Sequence, residues 1–260
     1  MLATAGVDVG TQTVKVIILE KGEVVSRAKA FCGFDPAKSA EEAMGEALRT
    51  AKLKLADLKH VTATGSAMEL GPHCNSTISM MGADAKAGVR LFPKARTIID
   101  IGAEEARAVK CDERGVMADF VVNERCAAGA GAFIEAMARA LELKMEDMGP
   151  LSLKAERASE INASCVIFGE SDVVTLIHRR ESKPEIARAV FDAMADRISS
   201  MVRRLGVNPD VVLVGGVAKD VGFVASLKRK LGVDVLIPEF PDFAGAFGAA
   251  LVAAGRVKEA

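Results

Sequence analysis

The stretch Ile98-Ile99-Asp100-Ile101-Gly102 reads as an apolar strand that ends in Asp-x-Gly, and Gly6-Val7-Asp8-Val9-Gly10 repeats this pattern earlier in the chain. Each copy is followed by a second apolar stretch, a charged turn with glycine and a third apolar stretch. Helical periodicity then appears at residues 40–55 and again at 133–143. The pattern is common enough to arise by chance, but the matching turns favour duplication. Two tandem β-β-β-α-β-α units predict an α/β protein with a cleft between its halves.

The aspartates at the ends of these strands predict a nucleotide site. A buried carboxylate is costly unless it meets a cation or hydrogen-bond donors, and the following glycine lets the backbone approach a phosphate. The first turn adds hydroxyl, amide and ammonium donors, and the second adds carboxylates where Mg²⁺ or an attacking water would sit. The candidate ligands are Gly10, Thr11, Gln12, Thr13 and Lys15 in the first turn and Gly102, Ala103, Glu104 and Glu105 in the second.

Two further glycine-containing segments lie late in the chain. Residues 211–218 form a β-branched strand that runs into Gly215-Gly216, and residues 245–250 begin a helix of small residues. Each element alone is weak evidence, because glycine after a strand usually only makes a turn. Their order and spacing resemble the actin, Hsp70 and sugar-kinase superfamily, which has a ribonuclease H-like fold. No Gly-x-x-x-x-Gly-Lys-Ser/Thr sequence occurs, which excludes a P-loop.

This resemblance implies a division of the chain and of its site. It implies a first subdomain over residues 1–95, a second over 96–242, and a C-terminal helix at 243–260 that packs back on the first. It also implies that the two hairpins hold the phosphates of ATP or ADP, with Asp8 and Asp100 placing Mg²⁺ and water. The late segments would then contact the adenosine, through Gly215, Gly216, Val217, Lys219 and Gly245.

Composition and charge exclude several classes of function. Lys and Arg number 34 against 35 Asp and Glu, giving a net charge of -1 with both signs well mixed. This balance gives no reason to expect nucleic acid or an anionic membrane as a partner. No apolar run approaches the roughly 20 residues needed to span a bilayer, and the N-terminus lacks the pattern of a signal peptide. We therefore expect a cytoplasmic protein.

Two of the five cysteines stand at the start of predicted helices. Cys126 precedes a Gly/Ala-rich run and then the helical pattern at 133–143, and Cys165 precedes a second helical pattern. A helix N-terminus stabilises a thiolate. The simpler interpretation is that both are buried, inert thiols. An iron–sulfur cube normally needs four thiolates, which two chains could supply by sharing one cluster on a two-fold axis.

The whole set of motifs resembles one family, the activator ATPases of 2-hydroxyacyl-CoA dehydratases and of ATP-dependent benzoyl-CoA reductases. The segments that carry the resemblance are residues 8–11, 63–65, 100–102, 126–131, 165–171 and 215–218. It implies a dimer with one [4Fe–4S] cluster held by Cys126 and Cys165 of each subunit. It further implies ferredoxin or flavodoxin as electron donor and a CoA-thioester reductase or dehydratase as acceptor.

One segment departs from the family pattern. Many activators read Asp-Ile-Gly-Gly-Gln-Asp at the second hairpin, whereas this chain reads Asp100-Ile101-Gly102-Ala103-Glu104-Glu105. Glu104 therefore stands where the resemblance would put a hydrolytic glutamine. The variation is closer to benzoyl-CoA reductase subunits, in which two different activator chains can pair, so the dimer could be homomeric or a heterodimer of homologous chains.

Two rival functions share the fold. An amino-sugar-type kinase would use the phosphate hairpins but would give the two cysteines no role. A nucleotide-gated assembly protein in the manner of actin would form filaments and hold no iron. Neither rival predicts a cysteine at the start of two successive helices.

Overall fold

The computed structural model describes residues 3–123, 130–157, 159–161 and 165–259. Its strands are β1 (Ala3–Val9), β2 (Thr13–Glu20), β3 (Glu23–Phe31), β4 (Leu58–Thr64), β5 (Ser76–Thr77), β6 (Thr97–Ile101), β7 (Ala106–Cys111), β8 (Met117–Asn123), β9 (Val211–Val214) and β10 (Val235–Leu236). Its α-helices are α1 (Pro36–Ala51), α2 (Met80–Leu91), α3 (Gly131–Ala140), α4 (Met145–Ser152), α5 (Val166–His178), α6 (Lys183–Leu205), α7 (Val221–Leu231) and α8 (Ala244–Glu259).

The chain forms two compact units. The first comprises residues 1–95, 111–118 and 242–260, and the second comprises residues 96–110 and 119–241. The sheet orders are β3-β2-β1-β4-β5 and β10-β9-β6-β7-β8. In both sheets a central strand pairs antiparallel with the next strand along the chain and parallel with a later one. The predicted duplication therefore appears as one strand order used twice, with the Asp-x-Gly strand at the centre each time.

Local sequence signals explain where the first long helix begins and ends. The periodicity places it at residues 40–55, but α1 starts at Pro36 because Asp35 accepts a hydrogen bond from the Lys38 amide and caps the first turn. It ends at Ala51 because Lys52 adopts a left-handed conformation with φ of 57°. Capping, rather than apolar spacing, sets these boundaries.

Each unit has its own apolar core. In the first unit the core lies between the β1–β2–β3 surface and α1, with Val14, Val16 and Met44 buried. In the second unit it is larger and contains three fully buried phenylalanines, on α3, α6 and α7: Phe133, Phe191 and Phe223. None of the helices in the described ranges is both long enough and apolar enough to cross a membrane.

Small residues bring α8 into backbone contact with its neighbours. A Cβ on Gly6 of β1 would collide with the backbone of Ala246 and Ala250, and a Cβ on Gly248 would collide with the backbone of Ala83 in α2. Helix and strand can approach this closely only because these positions lack side chains. The Gly/Ala composition of α8 is therefore a packing requirement of the first unit.

We predict that Gly248→Ala lowers the free energy of unfolding by about 1–3 kcal/mol or more, because the new methyl group meets backbone that cannot move independently. Gly255→Ala, in the same helix with open space around its Cβ position, is the matched control. It should raise stability by up to about 1 kcal/mol through helix propensity. Urea denaturation of both variants measures the difference, and equal stabilities would contradict this packing.

Candidate functional site

The first hairpin, between β1 and β2, joins several predicted residues. The Gly10 amide donates to the Thr13 carbonyl over 3.2 Å and closes the turn, while Thr11 at its tip is exposed. Behind the turn, Lys15 Nζ lies 3.3 Å from Asp8 Oδ2, because Asp8 and Lys15 are opposite each other in the antiparallel ladder. The second predicted turn residue, Gln12, is half-buried, and its carbonyl accepts a hydrogen bond from the Cys32 amide.

Asp8 also lies against the start of α8. A Cβ on Gly245 would stand 3.2 Å from Asp8 Oδ2, so glycine at this position gives the carboxylate room beside the first turn of the helix. The N-terminal end of a helix attracts negative charge. Asp8 is therefore paired with Lys15 and lies beside the first turn of α8, so the first unit brings Asp8, Lys15 and Gly245 together.

The second hairpin, between β6 and β7, is closed in the same way. The Gly102 amide donates to the Glu105 carbonyl over 2.9 Å. Glu104 is exposed at the tip and Ala103 is half-buried. The two hairpins therefore share one turn geometry, and in both the Asp-x-Gly glycine donates its amide to the residue three positions later.

Asp100 is far less exposed than a carboxylate usually is. It is 8% exposed, and the side chain opposite it on β7, Arg107, is 7% exposed. Arg107 Nε and Nη2 donate to Asp100 Oδ2 over 2.8 and 2.5 Å, and Nη1 reaches Glu105 Oε1 at 3.4 Å. One guanidinium therefore binds two carboxylates of the hairpin. No motif in the sequence pointed to Arg107. The register of the hairpin, which puts Arg107 opposite Asp100, is the signal that identifies it.

The Gly-Gly segment lies beside the second hairpin. β9 is parallel to β6, with Val214 opposite Asp100, so Gly215 follows directly next to the aspartate. Gly215 has φ of +88°, and a Cβ there would collide with Asp100 Oδ1 and with the backbone of Ile101. Gly216 is exposed, with open space around its Cβ position.

A short 3-10 helix, residues 216–219, follows the two glycines. Val217 is buried and Lys219 is exposed. Asp220 then caps α7 by accepting hydrogen bonds from the Gly222 and Phe223 amides over 2.9 and 3.0 Å. Burial raises the pKa of the Asp220 carboxyl, and the two amide donors oppose that rise.

The two predicted cluster ligands differ in what the structure describes. Cys126 lies outside the described residues. Cys165 is half-exposed and stands at the N-cap of α5 with an extended backbone. Among the described residues, no group of three or more His, Cys, Asp or Glu side chains is arranged to hold a metal ion.

We predict that Gly215→Ala destabilises the second unit and weakens nucleotide binding at least about tenfold, because the methyl group displaces Asp100 and a positive φ disfavours alanine. Gly216→Ala is the control for the stability measurement alone, since its methyl group meets no protein atom. Urea denaturation and calorimetric titration with MgADP measure both effects. Unchanged stability and affinity in Gly215→Ala would contradict the described packing.

Comparison with known proteins identifies the family. The model of the BadF/BadG/BcrA/BcrD ATPase family matches residues 5–253. The chain is 35% identical over 250 residues to the activator of lactoyl-CoA dehydratase of Anaerotignum propionicum, across 96% of each chain. It is also 35% identical over 267 residues to one of the benzoyl-CoA reductase subunits of Thauera aromatica, across 98% of this chain and 94% of that one.

Solved structures agree. Component A of the Acidaminococcus fermentans (R)-2-hydroxyglutaryl-CoA dehydratase has a TM-score of 0.94 and 31% identity over 99% of this chain and 100% of its own. The 2-hydroxyisocaproyl-CoA dehydratase activator of Clostridium difficile, with bound ADPNP, has a TM-score of 0.93 and 31% identity over 99% and 96%. A ROK family glucokinase of Streptomyces griseus has a TM-score of 0.58 and 15% identity, over 97% of this chain and 99% of its own, and shares the fold alone. The predicted actin-like α/β fold is confirmed, and the chain belongs to the BadF/BadG/BcrA/BcrD ATPase family.

Proposed function

We propose that this chain is an ATP-hydrolysing activator that delivers low-potential electrons to a CoA-thioester dehydratase or reductase. Relatives that match over nearly the whole chain are named as a dehydratase activator and as part of a benzoyl-CoA reductase, and one such activator structure holds ADPNP. The proposed partners are a second activator chain, identical or homologous, an acceptor enzyme, and ferredoxin or flavodoxin as donor.

One observation carries the proposal. The amides of Gly131 and Ala132, the first two residues of α3, donate to the carbonyls of Gly102 and Ala103 over 3.0 and 2.8 Å. The hairpin proposed to hold phosphate is therefore hydrogen-bonded to the first turn of the helix that begins five residues after Cys126. A shift of the hairpin backbone changes these two bonds directly. This gives a physical route from bound nucleotide to the cysteine-bearing segment.

The nucleotide roles follow from the chemistry of each hairpin. The Gly10 and Gly102 turns offer backbone amides and close approach to phosphate oxygens. The carboxylates of Asp8 and Asp100 are hard oxygen ligands, which suit Mg²⁺ and its bound waters. Glu104, exposed at the tip of the second hairpin, is proposed to orient the attacking water. Lys15 supplies positive charge beside the first turn, and the segment from Gly215 to Lys219, with Gly245, is proposed to contact the remainder of the nucleotide.

The surroundings of Cys165 fit a ligand shared between chains. Its thiol is free and forms no hydrogen bond to another described residue. Two side chains of the first turn of α5, Ile167 and Phe168, are 72% and 60% exposed. Two large apolar side chains beside a ligating position are typical of a surface that a partner covers. Cys74 differs, since its thiol donates to the Ser76 carbonyl.

The proposed [4Fe–4S] cluster would be held by Cys126 and Cys165 of two chains, and when bound it would supply one-electron chemistry at low potential. The part of this chain is to hold the two cysteine sulfurs, to exclude water with the apolar start of α5, and to shift the first turn of α3 when nucleotide binds.

We predict that the wild-type protein, purified anaerobically, contains about two iron atoms and two sulfide ions per chain, which is half of a four-iron cube. If the dimer is heteromeric, the protein is isolated with its partner chain. Cys165→Ser and Cys126→Ser should each lose most of this iron, since serine is a poor ligand for a soft metal site. Iron and acid-labile sulfide analysis is the measurement.

Cys32→Ser is the matched control. Cys32 is a half-exposed cysteine of the first unit, far in sequence from either proposed ligand, and its replacement should leave the iron content unchanged. A well-folded wild-type dimer that holds no iron after anaerobic reconstitution would overturn the proposal, as would equal iron loss in all three variants.

A further inference from the structure

Asp100 is bound by a buried arginine on the neighbouring strand. Arg107 is the second residue of β7 and faces Asp100 directly across the ladder. Its three nitrogen atoms all lie within 3.4 Å of a carboxylate oxygen, two on Asp100 and one on Glu105. Burying an arginine on a sheet costs free energy unless its charge is matched. Here the matching charges are those of Asp100 and Glu105, in the hairpin that is proposed to bind phosphate.

The charges of this hairpin are unbalanced. Around the turn, from Asp100 to Arg107, Asp100, Glu104 and Glu105 supply three negative charges and Arg107 supplies one positive charge. A nucleoside polyphosphate brings further negative charge to the same place, and like charges in a partly desolvated site repel strongly. The hairpin therefore needs cations to accept a phosphate. Mg²⁺ is one, and the buried guanidinium of Arg107, already beside the turn, is another.

The shape of the guanidinium also suits phosphate binding. Arginine presents a planar fork of donors that matches carboxylate and phosphate oxygens equally well. Asp100 is confined between this fork on Oδ2 and Gly215 on Oδ1. Transfer of these arginine donors to another acceptor would free Asp100 Oδ2 for a metal ion.

We propose that Arg107 is a phosphate-binding residue that exchanges partners when nucleotide enters. Without nucleotide it pairs with Asp100 and Glu105. With nucleotide its donors pass in part to a β- or γ-phosphate oxygen, and Asp100 is released toward Mg²⁺. The inference rests on the proposed function only in taking a nucleotide polyphosphate as the ligand, and it does not depend on iron.

Calorimetric titration tests the exchange, with MgADP and with adenosine as probes. Arg107→Gln should weaken MgADP binding about ten- to hundredfold, the usual effect of losing a hydrogen bond to a charged group, and leave adenosine binding within about twofold. Arg107→Lys keeps the charge but loses the fork and should fall between wild type and Arg107→Gln.

A double-mutant cycle separates phosphate binding from mere positioning of Asp100. We compare Asp100→Asn with Asp100→Asn/Arg107→Gln, a pair that also avoids leaving a buried carboxylate unpaired if Arg107→Gln fails to fold. If Arg107 contacts phosphate, the added change still weakens MgADP binding at least about fivefold. If the added change has no effect, Arg107 only positions Asp100 and the proposal is overturned.

Two other outcomes are distinct from these. Wild-type protein that binds adenosine and MgADP equally well has no phosphate site at this hairpin, which overturns the proposal but leaves the iron measurements unaffected. Wild-type protein that binds neither probe contradicts the proposed ATPase function and the phosphate role of Arg107 together. Iron content at the wild-type level in Arg107→Gln shows that any loss of nucleotide binding is not a loss of the cluster.

Discussion

The second unit is organised around one buried carboxylate. Asp100 lies near the end of the central strand of its sheet, and its two oxygens meet Arg107 on one side and the Gly215 backbone on the other. A carboxylate removed from water must be matched by charge or donors. That requirement explains why an arginine is buried on β7, and the close approach explains why a glycine with positive φ follows β9. The same aspartate is where phosphate and Mg²⁺ are proposed to bind.

The hairpin after Asp100 also explains how a local contact with nucleotide could change the position of a helix. Its Gly102 and Ala103 carbonyls receive the first two amides of α3, so the hairpin and the helix cannot move independently without breaking hydrogen bonds. Proteins convert local phosphate contacts into larger changes through elements joined in this way. In the first unit, Asp8 pairs instead with Lys15 and lies beside the first turn of α8, so the two repeats use one topology and different partners for the aspartate.

The fold could be predicted from sequence because its signals are local. An apolar strand ending in Asp-x-Gly, repeated with the same turns behind it, is enough to indicate a duplicated α/β unit. The partners of the site could not be predicted in the same way. Arg107 depends on the register of a ladder, and the bonds from Gly131 and Ala132 join segments nearly thirty residues apart. Periodicity places the start of α1 four residues late, because a capping aspartate decides where that helix begins. The roles of the predicted site residues stay predictions.

The proposed mechanism requires nucleotide bound at the hairpins to change the surroundings of an iron–sulfur cluster held by Cys126 and Cys165. Electron paramagnetic resonance of the dithionite-reduced protein, recorded with MgADP and with a non-hydrolysable MgATP analogue, tests it most directly. We expect a reduced-cluster signal that differs between the two nucleotides and is absent in Cys165→Ser. A signal identical in shape with both nucleotides, or no cluster signal in a fully reconstituted dimer, would contradict it.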